Sequence, residues 1–288
     1  MRSDDTILET EGLTKEFRGF VAVKDVSLRV RRGSIHALIG PNGAGKTTCF
    51  NLLTKFLAPT RGRIVYGGRD ITAAKPADIA RMGLVRSFQI SAVFPHLTVL
   101  ENVRIALQRA RGGSFDFWRP EAVLARYHDR ARELIADVGL SEFVDAVAVE
   151  LPYGRKRALE IATTLALEPE MMLLDEPTAG MTHEDVERIT ALVRRVAANR
   201  TVLIVEHNLS VVSALSDRIT VLARGEVLAE GSYAEVEGPA RRRGLPGERP
   251  CLTPPPPPRC CASPASRRGT ASPTCCMAST SRCATARS

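Results

Sequence analysis

Gly40-Pro41-Asn42-Gly43-Ala44-Gly45-Lys46-Thr47 sets two framing glycines, a lysine and a hydroxyl side chain at P-loop spacing. That arrangement suits a chain of phosphates. Glycines let backbone N–H groups turn inward onto phosphate oxygens. A helix opening at this point adds positive potential. Lys46 is placed to reach the β- and γ-phosphates, and the Thr47 hydroxyl to bind Mg²⁺. A chance match in a chain of average composition is about 1 in 100, so a merely structural Gly-rich turn is the poorer reading. Met171-Met172-Leu173-Leu174-Asp175-Glu176 is an apolar run that ends in two carboxylates. Alone, such an ending is usually a loop entry. Behind a P-loop it reads as Walker B, with Asp175 holding Mg²⁺ and Glu176 orienting the attacking water as general base.

These groups need elements to hold them. The apolar run Ile35–Ile39 precedes the P-loop and reads as a strand, and the pattern Thr47–Leu57 after it reads as a helix. Arg63–Tyr66, Met171–Leu174 and Val202–Val205 read as further buried strands. Asp185–Ala198 reads as a helix, with Thr182 as its N-cap and Asp185 three residues on. Such alternation implies an α/β fold with a mostly parallel sheet and helices on both faces. Val99–Val147 is rich in helical pattern and arginine, and reads as a helical insertion of about fifty residues. No internal repeat is evident.

Composition narrows the classes. The chain has 288 residues, enough for one large domain or two small ones. No uninterrupted apolar run exceeds four residues, which excludes a membrane-spanning helix. MRSDDTILET has no apolar core, so no secretory signal is expected. Most of the +8 net charge sits in residues 237–288, where nine arginines face only Glu237 and Glu248. The near-neutral remainder gives no electrostatic case for nucleic-acid binding. Cys49 is the only cysteine before residue 237, which fits a cytosolic protein and excludes a disulfide scaffold.

Residues 1–236 therefore read as one domain, and 237–288 as an irregular tail rich in Pro, Arg and Cys. Pro254–Pro258 and the paired cysteines at 260–261 and 275–276 carry no periodicity, so the tail reads as disordered or as translation in a shifted frame. GC-rich back-translation of Glu237–Gly247, shifted by one base, yields RDPRVVEAYLG, an amphipathic helix. In the remaining frame, Arg259–Arg287 yields a string similar to the chain's own Glu11–Gly33, as if a related protein began downstream. The nucleotide sequence decides between these readings.

Further motifs follow in a fixed order. Gln89 lies in LVRSFQ, Leu151-Pro152-Tyr153-Gly154-Arg155 precedes the Walker B run, Glu176–Thr182 extends it, and His207 lies in TVLIVEHN. Each alone is weak: a lone Gln or His is usually a solvated surface residue, and Phe17 could equally be core. Together, behind a P-loop, they make residues 8–236 resemble the ATP-binding subunit of an ABC transporter. The resemblance implies a P-loop ATPase core, an N-terminal antiparallel β-subdomain and a helical subdomain at about 91–158. It assigns the ATP phosphates to Gly40, Asn42, Gly43, Ala44, Gly45, Lys46, Thr47 and Thr48, with Phe17 stacking on adenine. Glu176, His207 and Gln89 would be catalytic, and Thr47, Gln89 and Asp175 would hold Mg²⁺. Tyr153, Gly154 and Arg155 would serve a second copy's ATP in a head-to-tail dimer.

The pattern has departures: Pro152 replaces the signature Ser, Arg155 and Lys156 replace Gln residues, and Thr182 stands where Asp or Asn is usual. The Pro-Tyr-Gly form, Arg157-Ala158-Leu159-Glu160-Ile161-Ala162 and Val205-Glu206-His207-Asn208 resemble the ATPases of branched-chain (hydrophobic) amino acid importers. That implies membrane permease subunits as partners, a second ABC ATPase or another copy of this chain, and indirectly a periplasmic substrate-binding protein. No nucleic acid is implied. The place would be peripheral, on the cytoplasmic face of the inner membrane. Other ABC systems, for amides, other amino acids or lipid export, stay open on these residues. An ABC ATPase acting on DNA or ribosomes would need long coiled coils or a second P-loop, and neither is present. A kinase or GTPase would leave Gln89, the signature region and His207 unexplained.

Overall fold

The computed structural model describes residues 5–87, 93–110 and 126–236. Gln89, the tail 237–288, and residues 91–92 and 111–125 of the expected helical insertion lie outside the described residues. The strands are β1 (Thr6–Phe17), β2 (Phe20–Val26), β3 (Arg29–Arg31), β4 (Ile35–Ile39), β5 (Arg61–Tyr66), β6 (Arg69–Asp70), β7 (Leu84–Ser87), β8 (Met171–Asp175), β9 (Thr201–Val205), β10 (Arg218–Ala223) and β11 (Glu226–Gly231). The helices are α1 (Lys46–Leu53), α2 (Pro76–Arg81), α3 (Val99–Ala110), α4 (His128–Asp137), α5 (Tyr153–Leu165), α6 (His183–Ala197) and α7 (Leu209–Leu215).

The main sheet has the order β11-β10-β4-β9-β8-β7. Its strands pair in parallel from β10 to β7, and only β11 runs antiparallel at the edge. β4, β8 and β9 are buried at every position, as strands covered on both faces must be. Their side chains alternate between two cores with the period of a strand. Ala37, Met172, Leu174, Val202 and Ile204 point to the core under α5, α6 and α7. Leu38, Met171, Leu173, Leu203 and Val205 point to the other core, which α1 and the antiparallel sheet cover. That second sheet runs β2-β1-β5-β6, with β3 also on β1, and every pairing is antiparallel. The fold is thus the expected one, a mostly parallel α/β core beside an N-terminal antiparallel sheet, with α3, α4 and α5 as neighbouring helices.

α6 forms as its pattern dictates. Ile189, Leu192, Val193, Val196 and Ala197 are its buried stripe, and the Thr182 hydroxyl accepts the Asp185 N–H at 3.3 Å. α1 differs from expectation: it ends at Leu53 and not at Leu57. The Thr54 N–H still reaches the Phe50 carbonyl, but Lys55 takes a left-handed φ of +60° and closes the helix.

One buried group makes stability pH-dependent. His36 in β4 is fully buried and shares a 2.8 Å hydrogen bond with the Thr220 hydroxyl of β10. Its Nδ1 has no partner among the described residues. Burial, aided by the Arg218 charge, lowers its pKa from 6.5 to about 4. Between those values the unfolded chain binds a proton that the folded chain refuses. Stability is therefore complete above pH 6.5 and falls as pH falls through the window, by up to about 3 kcal/mol. Melting temperature should drop from pH 7 to pH 5, and His36→Gln, which can keep the Thr220 bond, should flatten that drop. Equal slopes in the two proteins would refute this cause.

Candidate functional site: a nucleotide cleft at the carboxyl ends of β4, β8 and β9

β4, β9 and β8 lie side by side, and the P-loop, His207 and Asp175 follow or end them. Sheets of this kind bind ligands beyond their carboxyl ends. The P-loop is wedged between β10 and β2. Gly40 has a φ of +156°, and a Cβ there would lie 2.2 Å from the Leu222 carbonyl oxygen. Gly45, at φ +96°, would set a Cβ 2.5 Å from the Ala22 carbonyl oxygen. The Gly225 N–H donates to the Ala44 carbonyl at 3.1 Å and pins the loop to the β10–β11 turn. Only glycine fits at 40 and 45, by conformation and by space alike.

Gly45 is the N-cap of α1, and no side chain caps the helix, so its first-turn N–H groups face the loop's hollow. Lys46 is buried, and its ammonium donates to the Gly40 and Pro41 carbonyls at 2.6 and 3.0 Å. Burial lowers its pKa, while the Glu176 and Asp175 carboxylates push the other way. Lysine and carboxylates are thus within electrostatic reach across the cleft. Thr47 is exposed beside them. Uncapped donors, a lysine bonded to its own loop, an exposed hydroxyl and a buried carboxylate form the set that a Mg²⁺–nucleotide needs.

Asp175 is buried, and its Oδ2 accepts from Arg86 Nη2 at 2.6 Å. Arg157 of α5 donates to the Asp175 backbone carbonyl at 2.9 Å and pairs with Glu160 at 2.5 Å. Glu176 sits at φ +45°, a left-handed conformation uncommon for a non-glycine, held by its N–H on the Val205 carbonyl at 2.9 Å. Strained backbone of this kind fixes a side chain's direction at functional sites.

His207 leaves the end of β9 and is exposed. The residue before it, Glu206, is fully buried. Glu206 Oε1 accepts the Thr178 N–H at 2.9 Å and the Thr178 hydroxyl at 2.7 Å, while Oε2 accepts the His207 N–H at 3.2 Å. One carboxylate therefore ties the segment after Glu176 to the histidine. Glu206 and Arg157 were named above only as marks of a subgroup, and Arg86 only within LVRSFQ. Charged residues inside or beside short apolar strands were the available signal.

The remaining expected residues sit on other elements. Phe17 ends β1 at a hairpin tip, 40% exposed, with the Lys15 ammonium 5.2 Å from its ring centroid. Tyr153 opens α5 and is exposed at 59%, whereas Gly154 is buried. A Cβ on Gly154 would lie 2.5 Å from Asp185 Oδ1, so α5 and α6 meet closely there. The Arg155 guanidinium donates to the Gly139 carbonyl at 2.9 Å and lies over the Phe143 ring. Among the hydrogen bonds of the described residues, α5 reaches the Walker B strand through Arg157 and not through residues 153–155.

The ABC transporter family model matches residues 23–179, more than half of the chain. The chain belongs to the ABC transporter family. The chain is similar to the high-affinity branched-chain amino acid transport ATP-binding proteins BraF of Pseudomonas aeruginosa and LivG of Escherichia coli. Identities are 38% over 240 residues and 37% over 237 residues, each covering 80% of this chain and 93% of the relative. Among solved structures it is similar to a nucleotide-free ATP-binding cassette from an ABC transporter, with TM-score 0.72 and 31% identity over 82% of this chain and 95% of that one. An ABC transporter cassette in its ADP conformation gives TM-score 0.69 and 32% identity over 80% and 92%. This ABC cassette is an ATPase subunit, and the P-loop cleft is its candidate nucleotide site. Among the described residues no helix is long and apolar enough to cross a membrane.

Proposed function

We propose that this chain is the motor of an importer for branched-chain or other hydrophobic amino acids. The likeness to BraF and LivG, which runs over 93% of their length, carries the substrate class. In this reading the cassette sits peripherally on the cytoplasmic face of the inner membrane. It docks on separate permease subunits, which a periplasmic binding protein feeds. It pairs head to tail with a second cassette or another copy, so that Tyr153 and Gly154 of one meet the ATP on the P-loop of the other.

The chemistry follows from the residues. Lys46 exchanges its loop carbonyls for the β- and γ-phosphates, and the first-turn N–H groups of α1 receive phosphate oxygens. Mg²⁺, held by Thr47, Asp175 and Gln89, would neutralise phosphate charge. Glu176 would take the proton of the attacking water as the water oxygen bonds the γ-phosphorus and the bond from that phosphorus to the β,γ-bridging oxygen breaks, with ADP as the leaving group. His207, fixed to the same frame through Glu206, orients that water and the γ-phosphate. Arg155, which in the single chain bonds the Gly139 carbonyl and lies over the Phe143 ring, would join Tyr153 and Gly154 at the second copy's ATP.

Reconstitution with its permease subunits in liposomes tests the reading. Leucine presented on the binding protein should raise ATP hydrolysis several-fold. Hydrolysis indifferent to leucine, isoleucine and valine would move the substrate class elsewhere.

A further inference from the structure

Arg86 of β7 makes two end-on contacts inside the cleft. Nη2 meets Asp175 Oδ2 at 2.6 Å, and Nη1 donates to Asn51 Oδ1 at 2.5 Å. The Phe50 ring lies 5.6 Å from the guanidinium carbon. Both partners of the ion pair are nearly closed off, with side-chain exposures of 8% for Arg86 and 3% for Asp175. Asn51 stands one helical turn after Thr47 on the same face of α1. The arginine is thus clamped between the helix that offers the Thr47 hydroxyl and the strand that offers the Asp175 carboxylate.

We propose that Arg86 is the resident counter-cation of the Mg²⁺ site, holding Asp175 when the metal is absent and yielding that carboxylate to it when the nucleotide arrives. This rests on the reading of Asp175 as a Mg²⁺ ligand. A buried carboxylate with no cation is costly, so Asp175 needs a positive partner before the metal binds. A divalent ion on the same carboxylate competes with the guanidinium, and two cations on one buried oxygen repel strongly at low dielectric. Asn51 gives the released guanidinium an acceptor, so Arg86 can shift without being stranded. Arg86 is a positioning residue: it acts on the metal through Asp175. Competition of this kind is a coupling between two ligands of one group, and it must be reciprocal.

The experiment compares affinity for a non-hydrolysable ATP analogue with and without Mg²⁺, by calorimetry on the full chain. The ratio of the two affinities is the metal's advantage. Arg86→Met should raise that advantage about tenfold or more, because Asp175 loses its ion-pair partner until the metal arrives. Arg86→Lys keeps a cation and should stay within about threefold of wild type. Asp175→Asn should abolish the advantage. If Asp175→Asn abolishes it while Arg86→Met leaves it unchanged, Arg86 is only a structural partner and the proposal is overturned, with the Mg²⁺ site standing. If Asp175→Asn keeps the advantage, the Mg²⁺ reading of Asp175 itself fails. Should Arg86→Met not fold, Asn51→Ala weakens the clamp alone. It should raise the advantage about threefold, and an unchanged ratio overturns the proposal.

Discussion

Glu176→Gln should leave ATP binding in place and slow hydrolysis by about 10²–10⁴-fold, the range expected when a general base is lost. Glutamine keeps the length and shape of the side chain. The backbone at 176 stays where the Val205 carbonyl and its positive φ hold it. What vanishes is the ability to accept the proton of the attacking water. The γ-phosphate then persists, and with it the reason for two cassettes to remain closed on one another. Sedimentation of the variant with Mg²⁺ and ATP should show a stable dimer, where wild type returns to monomer as ATP is consumed. Hydrolysis at the wild-type rate would remove Glu176 from the role of base.

Lys46→Ala should weaken ATP binding by about ten- to a hundredfold, the scale of one or two charged hydrogen bonds to phosphate. The folded chain should tolerate the change. Among the described residues Lys46 bonds to carbonyls of its own loop, and burial disfavours its charge in the absence of nucleotide. Loss of affinity without loss of melting temperature would place the lysine's contribution in the ligand complex. Unchanged affinity would contradict the assignment of the phosphates to this loop.

The parts of the molecule legible in the sequence are those with local causes. Ile35–Ile39, Met171–Leu174 and Val202–Val205 had to be buried strands because these runs are apolar but for His36, and all three lie inside the sheet. Thr182 announced a cap through Asp185 three residues on, and the cap forms. α1 was expected four residues too long because Thr54–Leu57 continues its apolar pattern, while the left-handed turn at Lys55 has no strong sequence mark. Contacts distant in sequence were beyond reach. Arg86 and Asp175 are 89 residues apart, and Glu206 and Thr178 are 28 apart. Nothing in LVRSFQ says that the arginine turns inward toward another strand's carboxylate. The buried Glu206 was overshadowed by His207 beside it. Once parallel pairing sets β7 beside β8 and β9 beside β8, both ion and hydrogen-bond pairs become short-range.

Uptake of radiolabelled leucine, in cells lacking this gene, tests most directly whether ATP turnover at this cleft drives import. Uptake should fall to background in the deletion, return with the intact gene, and stay at background with the Lys46→Ala gene. Leucine uptake equal to that of the parent strain in the deletion, or full rescue by Lys46→Ala, would contradict the account.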